Sequence, residues 1–173
     1  MLAASPISSA RLTLTPLQVG DADAMVGVLA DARMYAFTGG EPPTLDALRA
    51  RYARLAGGRS ADGTEAWCNW IVRPVASPDP VGVVQATVAS DGTTADVAWE
   101  IGVPWQGRGY ASEAAIAMVA WLAAHGVGTV RALVHPEHVA SARVADRAGL
   151  VPTADREDGE VVWVARPCVG EAT

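Results

Sequence analysis

Residues 99–126 read "WEIGVPWQGRGYASEAAIAMVAWLAAHG": a strand-like end, a proline break, a turn holding two glycines, and a long alanine-rich run. Ala111, Ala114, Ala115, Met118 and Leu122 recur at helical spacing and Gly126 supplies a stop, so the pattern predicts a helix opening just after Gly109. A strand that feeds a glycine turn and then a helix makes an anion site. The first-turn N–H groups have no intrahelical partner, and the helix dipole adds about half a positive charge there. Gly107 and Gly109 tolerate positive φ and put no Cβ between a ligand and the backbone. The spacing excludes a Walker loop, GxxxxGK[ST], and a dinucleotide fingerprint, GxGxxG. Taken alone, the glycines are better accounted for by a sharp turn that binds nothing, and context must decide.

The rest of the chain supplies the context. "RLTLTPL", residues 11–17, alternates like a half-buried strand, and "GDADAMVGVLADARM" reads as a helix with Asp21 or Asp23 at its N-cap. A second helix fits residues 44–56, opened by Thr44 and closed by Gly57-Gly58. Three strand-like runs follow at 66–73, 81–89 and 95–103, separated by the turn sequences "SPDP" and "SDGTT", which predicts an antiparallel meander. After the long helix come a strand at 129–134, a short helix at 141–148 and two strands flanking "DREDGE". The order is β-α-α-β-β-β-α-β-α-β-β, an α/β (α+β) chain without internal repeats. A length of 173 residues supports one hydrophobic core and is short for two, so residues 1–173 are read as a single domain.

A formal net charge of −6 and a pI near 4.9 argue against binding nucleic acid through its phosphates and suit a cationic or amine partner. "MLAASPISSARL" lacks the basic start and apolar core of a secretory signal, and no apolar run reaches the roughly 18 residues of a membrane helix. No membrane association is expected, and the cytoplasm is the expected location. Cys68 and Cys168 form no CxxC pair and are read as structural thiols. "HPEH" does not make a metal pair, because Pro136 disfavours a helix through His135 and no HExxH accompanies it.

Gln106-Gly107-Arg108-Gly109-Tyr110-Ala111 resembles the Q/R-x-x-G-x-G/A pyrophosphate loop of the GNAT superfamily of acyl-CoA-dependent N-acetyltransferases. "WEIGVPWQGRGYASEA", "HPEHVASARVADRAGL" and "ARLTLTPLQVGDADAMVGVLAD" are similar to successive motifs of the branch containing the ribosomal-protein alanine and serine N-acetyltransferases. The resemblance implies a mixed, mostly antiparallel sheet of six to seven strands flanked by about four helices. It implies transfer of an acetyl group from acetyl-CoA, without a metal, to a primary amine: a protein N-terminus or a small molecule. A non-catalytic acyl-CoA-binding module on the same fold is the alternative, and homodimers are common in the branch.

The resemblance also assigns residues. The strand at 100–103 is expected to splay from its neighbour and admit the pantetheine arm, with main-chain groups of Ile101, Gly102 and Val103 pairing to its amides. Gln106, Gly107, Arg108, Gly109, Tyr110 and Ala111 would cradle the pyrophosphate, helped by the Ser112 hydroxyl. Arg108 adds either a phosphate contact or only its backbone N–H. Glu100 matches the glutamate of the family's "EIG" motif and would accept the amine proton through water; a plain ion pair or backbone contact is the other reading. Glu113 serves either the helix dipole or a side-chain network. Ser141 either bonds the CoA sulfur or caps its helix, and His138 replaces an asparagine that usually caps the same helix and touches pantetheine. Where many members carry a tyrosine that protonates the leaving thiolate, this chain has Ala145. An amine must be neutral to attack: at pH 7 this costs roughly 4–5 kcal/mol for lysine but about 1–1.5 for an α-amine. Tyr35, Phe37, Trp67 and Trp70 are either acceptor-pocket walls or core.

Overall fold

The computed structural model describes residues 2–167. In chain order its elements are β1 (Ile7–Ser8), β2 (Leu12–Pro16), α1 (Ala22–Val28), α2 (Leu45–Leu55), β3 (Glu65–Pro74), β4 (Gly82–Ala89), β5 (Thr94–Ile101), α3 (Tyr110–Ala124), β6 (Thr129–Val134), α4 (Val139–Arg147), β7 (Val151–Glu157) and β8 (Glu160–Ala165). They build one eight-stranded sheet, ordered β1-β2-β3-β4-β5-β6-β8-β7, in which only β5 and β6 run parallel. The expected class and the β3-β4-β5 meander are present, but the sheet is wider than the expected six to seven strands. The extra strand is β1, whose Ile7 and Ser8 pair with Leu14 and Thr13. Two residues after a proline carry no alternation to read.

The register assigns the faces. Ile71, Val83 and Glu100 form one cross-strand row, and Trp70, Val84 and Trp99 the adjacent row on the opposite face. α1 and α2 cover the first face, burying Met25, Leu48 and Tyr52 against Ile71 and Val83. α3 and α4 cover the second, with Ala114, Ala115, Met118 and Val144 in the core that also holds Trp70 and Val84. Small residues along α3 let it lie close to the sheet. Ser112 takes the buried place expected of Ala111, which is only half-buried.

Local chemistry explains most boundaries. Thr44 caps α2, its hydroxyl accepting from the Ala47 N–H at 3.3 Å. Neither acidic candidate caps α1. Asp21 accepts from the Gln18 N–H at 2.8 Å and from Arg73 at 2.6 Å, and Asp23 pairs with Arg49. β5 stops at Ile101, short of the expected residue 103, because Gly102 turns the chain into a 3-10 turn over Val103–Trp105. A Cβ on Gly102 would lie 2.8 Å from Val28 Cγ1 and 2.9 Å from the Trp105 ring, so this glycine makes room for a tryptophan that packs against both cores.

β5 and β6 pair only at Thr94↔Thr129, Ala95↔Val130 and Asp96↔Arg131. β5 stays with β4 as far as Ile101, and β6 stays with β8 as far as Val134. A wedge therefore opens after Asp96, earlier than the expected Glu100. Cys68 is buried, and burial pushes its thiol up to about 11. Cys168 lies outside the described residues. Among these residues, no helix is long and apolar enough to cross a membrane.

Candidate active site

The turn between β5 and α3 has the geometry its glycines suggest. Gly107 has φ +74° and Gly109 φ +81°, both in the left-handed region, and α3 begins at Tyr110. The first N–H in this segment with a main-chain partner is that of Glu113, which donates to the Gly109 carbonyl at 3.0 Å. Among the described residues, the N–H groups of residues 107–112 find no acceptor, although Gln106 and Gly107 are exposed and Gly109 to Ala111 half-buried. They gather at the positive end of a 15-residue helix, a ready site for phosphate oxygens. Ser112 is 8% exposed and its hydroxyl has no partner among the described residues.

The side chains of the turn fold back onto it. Gln106 donates through Nε2 to the Ile101 carbonyl at 2.8 Å, and Arg108 donates to the Pro104 carbonyl at 3.1 Å. A residue that sequence reasoning passed over braces the turn from outside. Arg11, at the head of β2, donates to the Arg108 carbonyl at 3.1 Å and lies over the Tyr110 ring, 5.2 Å from its centroid. Its Nε donates to Glu113 at 2.7 Å and its main-chain N–H to the same carboxylate at 2.8 Å, while Ser9 adds a hydroxyl at 2.7 Å. Burial opposes charge on Glu113, yet these donors outweigh it and hold the carboxyl below its ordinary range. Glu113 thus belongs to a side-chain network. Its only advance sign was an arginine opening one strand and a glutamate in the first turn of a distant helix.

Along the wedge, main-chain groups alternate sides. The Gly102 N–H goes to the Val81 carbonyl at 2.9 Å, and its own carbonyl accepts from Trp105 at 2.9 Å. The Gly102 N–H is therefore already taken, and only the second lone pair of its carbonyl is left for a ligand. By the same alternation, Trp99 and Ile101 turn their N–H groups away from β4 and into the wedge. Among the described residues the Val103 N–H has no main-chain partner, and its carbonyl accepts from Gln106 at 3.2 Å.

Glu100 stands on the α1/α2 face, opposite in sense to Trp99 and Ile101. It is half-buried and makes no hydrogen bond or ion pair among the described residues, which removes the reading of a plain paired carboxylate. Tyr35 lies within its field: burial first, then the Glu100 charge, raises the Tyr35 phenol above its ordinary value. Tyr52 is raised as well, mainly by burial.

On the opposite face Trp99 reaches from β5 to α4, its indole N–H donating to Ser141 Oγ at 3.1 Å. Ser141 is not a cap; α4 starts at Val139, earlier than the expected residue 141, and His138 occupies the N-cap. His138 Nδ1 accepts from the Ser141 N–H at 3.5 Å, so histidine performs the capping duty of the usual asparagine. Its ring stacks on exposed Phe37, with centroids 4.3 Å apart, and His135 lies 5.3 Å from the same ring. Ala145 is fully buried and presents no proton donor. Of the other aromatics, Trp70 is core, Tyr35 donates to the Leu29 carbonyl at 3.0 Å, and Trp67 is half-buried.

His138 makes a pH prediction. Its Nδ1 can accept only while unprotonated, and burial, then the neighbouring His135, holds the folded-state value below the ordinary histidine value. The unfolded chain takes up this proton at higher pH than the folded one. The stabilisation is therefore full above the ordinary value near 6.5, and is lost as pH falls through it towards the lower folded value. On acidification from pH 7.5 to 5.0, His138→Asn should lose about 1–3 °C less in Tm than the parent chain. Equal losses in differential scanning calorimetry would assign the pH dependence elsewhere.

A family profile described as an acetyltransferase (GNAT) domain matches residues 11–151. Among curated protein sequences, none matches the chain significantly. Solved structures share the fold. An acetyltransferase of the GNAT family from Bacillus anthracis has a TM-score of 0.78 at 17% identity, covering 94% of this chain and 98% of that one. A ribosomal L7/L12 α-N-protein acetyltransferase in complex with coenzyme A gives 0.77 at 13% identity, covering 94% and 98%. The aminoglycoside acetyltransferase AAC(6′)-Ib in complex with paromomycin and acetyl-CoA gives 0.73 at 18% identity, covering 90% and 93%.

Proposed function

Because the chain belongs to the acetyltransferase (GNAT) family, we propose that it transfers the acetyl group of acetyl-CoA directly to a primary amine. The observation that carries this reading is the row of unpartnered N–H groups from Gly107 to Ser112, set at the head of α3 and beside a strand that has left its neighbour. These groups would hold the pyrophosphate, with the Gln106 and Arg108 side chains keeping the turn in shape rather than serving as ligands. The Ile101 and Val103 N–H groups would pair with the pantetheine amides in the wedge, and Gly102 would act by leaving space for Trp105.

The amine nitrogen forms a bond to the thioester carbonyl carbon as the C–S bond breaks. Glu100, free of other partners, takes up the amine proton through water. Ser141 is suited to meet the departing thiolate. Its oxygen already accepts from the Trp99 indole, which leaves its own proton free to donate. With Ala145 in the place of a tyrosine, this hydroxyl is the nearest donor the family pattern offers. The neighbours bound to coenzyme A and acetyl-CoA support the donor. Those named for a ribosomal protein and for aminoglycosides support an amine acceptor of either kind.

The test is release of CoA thiol from acetyl-CoA over a panel of amines, run beside a thermal-shift comparison of acetyl-CoA, ATP and NAD. The reading expects stabilisation by acetyl-CoA alone and thiol release with at least one amine. Acetyl-CoA binding without thiol release would make the chain a binding module, and stabilisation by ATP or NAD instead would reject the site assignment.

A further inference from the structure

A groove of about 280 Å³ lies between the end of α2, at Arg54 and Leu55, and the sheet residues Trp67, Asn69, Gln85 and Thr87. It continues past Leu55, Trp67 and Asn69 into a second hollow of about 300 Å³. Asn69 is 5% exposed, and its carboxamide makes no hydrogen bond among the described residues. Its polar atoms are not sealed off, since among these residues Tyr52 Oη is the only fully occluded side-chain polar atom without a partner. Gln85 and Thr87 are half-buried and likewise without side-chain hydrogen bonds. Burying unpaired carboxamides is unfavourable unless something arrives to pair with them.

The register ties this groove to Glu100. Asn69 stands opposite Gln85, Gln85 opposite Ala98, and Val83 opposite Glu100. Gln85 is thus a diagonal neighbour of Glu100, roughly 7–8 Å away, with the half-buried Ala98 methyl on the open side of that path and the buried Val83 on the other. From Glu100 to Asn69 the floor runs about 12 Å, the reach of three to four extended residues. Each carboxamide offers a donor and an acceptor side by side, as a peptide group does, and the floor between them carries no charge.

We infer that this groove binds the main chain of a peptide acceptor, its free amino end at Glu100 and its following peptide groups on Gln85 and Asn69. The inference rests on the acetyl-transfer reading for the position of the amine. Trp67 and Leu55 form apolar walls along the peptide, and the second hollow receives its continuation.

The test uses tetra-alanine amide and alanine amide as acceptors. Titration of tetra-alanine amide should move the side-chain amide NMR signals of Asn69 and Gln85, assigned by their loss in the variants. Its kcat/KM should exceed that of alanine amide by about tenfold or more. That ratio should fall towards one in Asn69→Ala and in Gln85→Ala, the second being the half-buried site where folding is least at risk. Unmoved signals, equal efficiency for the two acceptors, a ratio unchanged in both variants, or paromomycin as the better acceptor would overturn the inference. If the signals move while no amine releases thiol, the groove stands and the transferase reading falls.

Discussion

Valine in place of Gly109 is expected to weaken acetyl-CoA binding by about 100-fold or more, roughly 2.7 kcal/mol, by isothermal titration calorimetry. Gly109 has φ +81°, a conformation that a β-branched residue adopts only under strain. A Cβ there also comes within 3.3 Å of Arg11 Nη2. Arg11 holds both Glu113 and the Arg108 carbonyl, so a push on its guanidinium passes to both ends of the turn. The N–H groups of residues 107–112 would then lose their common aim, the property on which anion binding depends. Affinity within tenfold of the parent chain, with an unchanged circular dichroism spectrum, would show that the turn does not carry the cofactor.

Glu100→Gln should lower kcat by about 100-fold, the ordinary contribution of a general base, while leaving the affinity for acetyl-CoA unchanged. The separation follows from the fold. Glu100 faces α1 and α2, whereas the glycine turn at the head of α3 and Ser141 belong to the other side of β5. Glutamine keeps the shape of the side chain and breaks no hydrogen bond, since the carboxylate makes none among the described residues, so stability should not fall. An α-amine acceptor should partly recover at higher pH, where the base is needed least. An unaltered kcat at pH 7 would move the proton to another acceptor.

The glycine turn was legible because everything that shapes it is local. Pro104, two glycines and an alanine-rich run lie within one stretch, and positive φ at Gly107 and Gly109 with a helix from Tyr110 follow from those residues. The alternation of β5 likewise put Glu100 on the face opposite Trp99 and Ile101. What escaped the sequence joins residues far apart along it. The link from Arg11 to Glu113 spans 102 positions and that from Trp99 to Ser141 spans 42, and neither leaves a periodic trace. Asp21 looked like a helix cap because caps are local, but Arg73 on β3 claims its carboxylate from across the fold. The motif marked Gly102 as a glycine, but the bulk of Trp105 that it accommodates is visible only once the core is packed. The start of α4 moved for a similar reason: a histidine is a weak cap by preference, yet His138 holds Ser141 with Phe37 stacked on its ring.

Backbone amide NMR during titration with CoA tests the central claim most directly. The N–H groups of residues 107–112 stand unpaired among the described residues at the head of α3, and the account predicts that their signals shift together and saturably, along with those of Ile101 and Val103. The same titration should leave the Gly102 signal nearly still, because its N–H is already bound to Val81. Saturable CoA binding that leaves the signals of residues 107–112 unmoved would contradict the account.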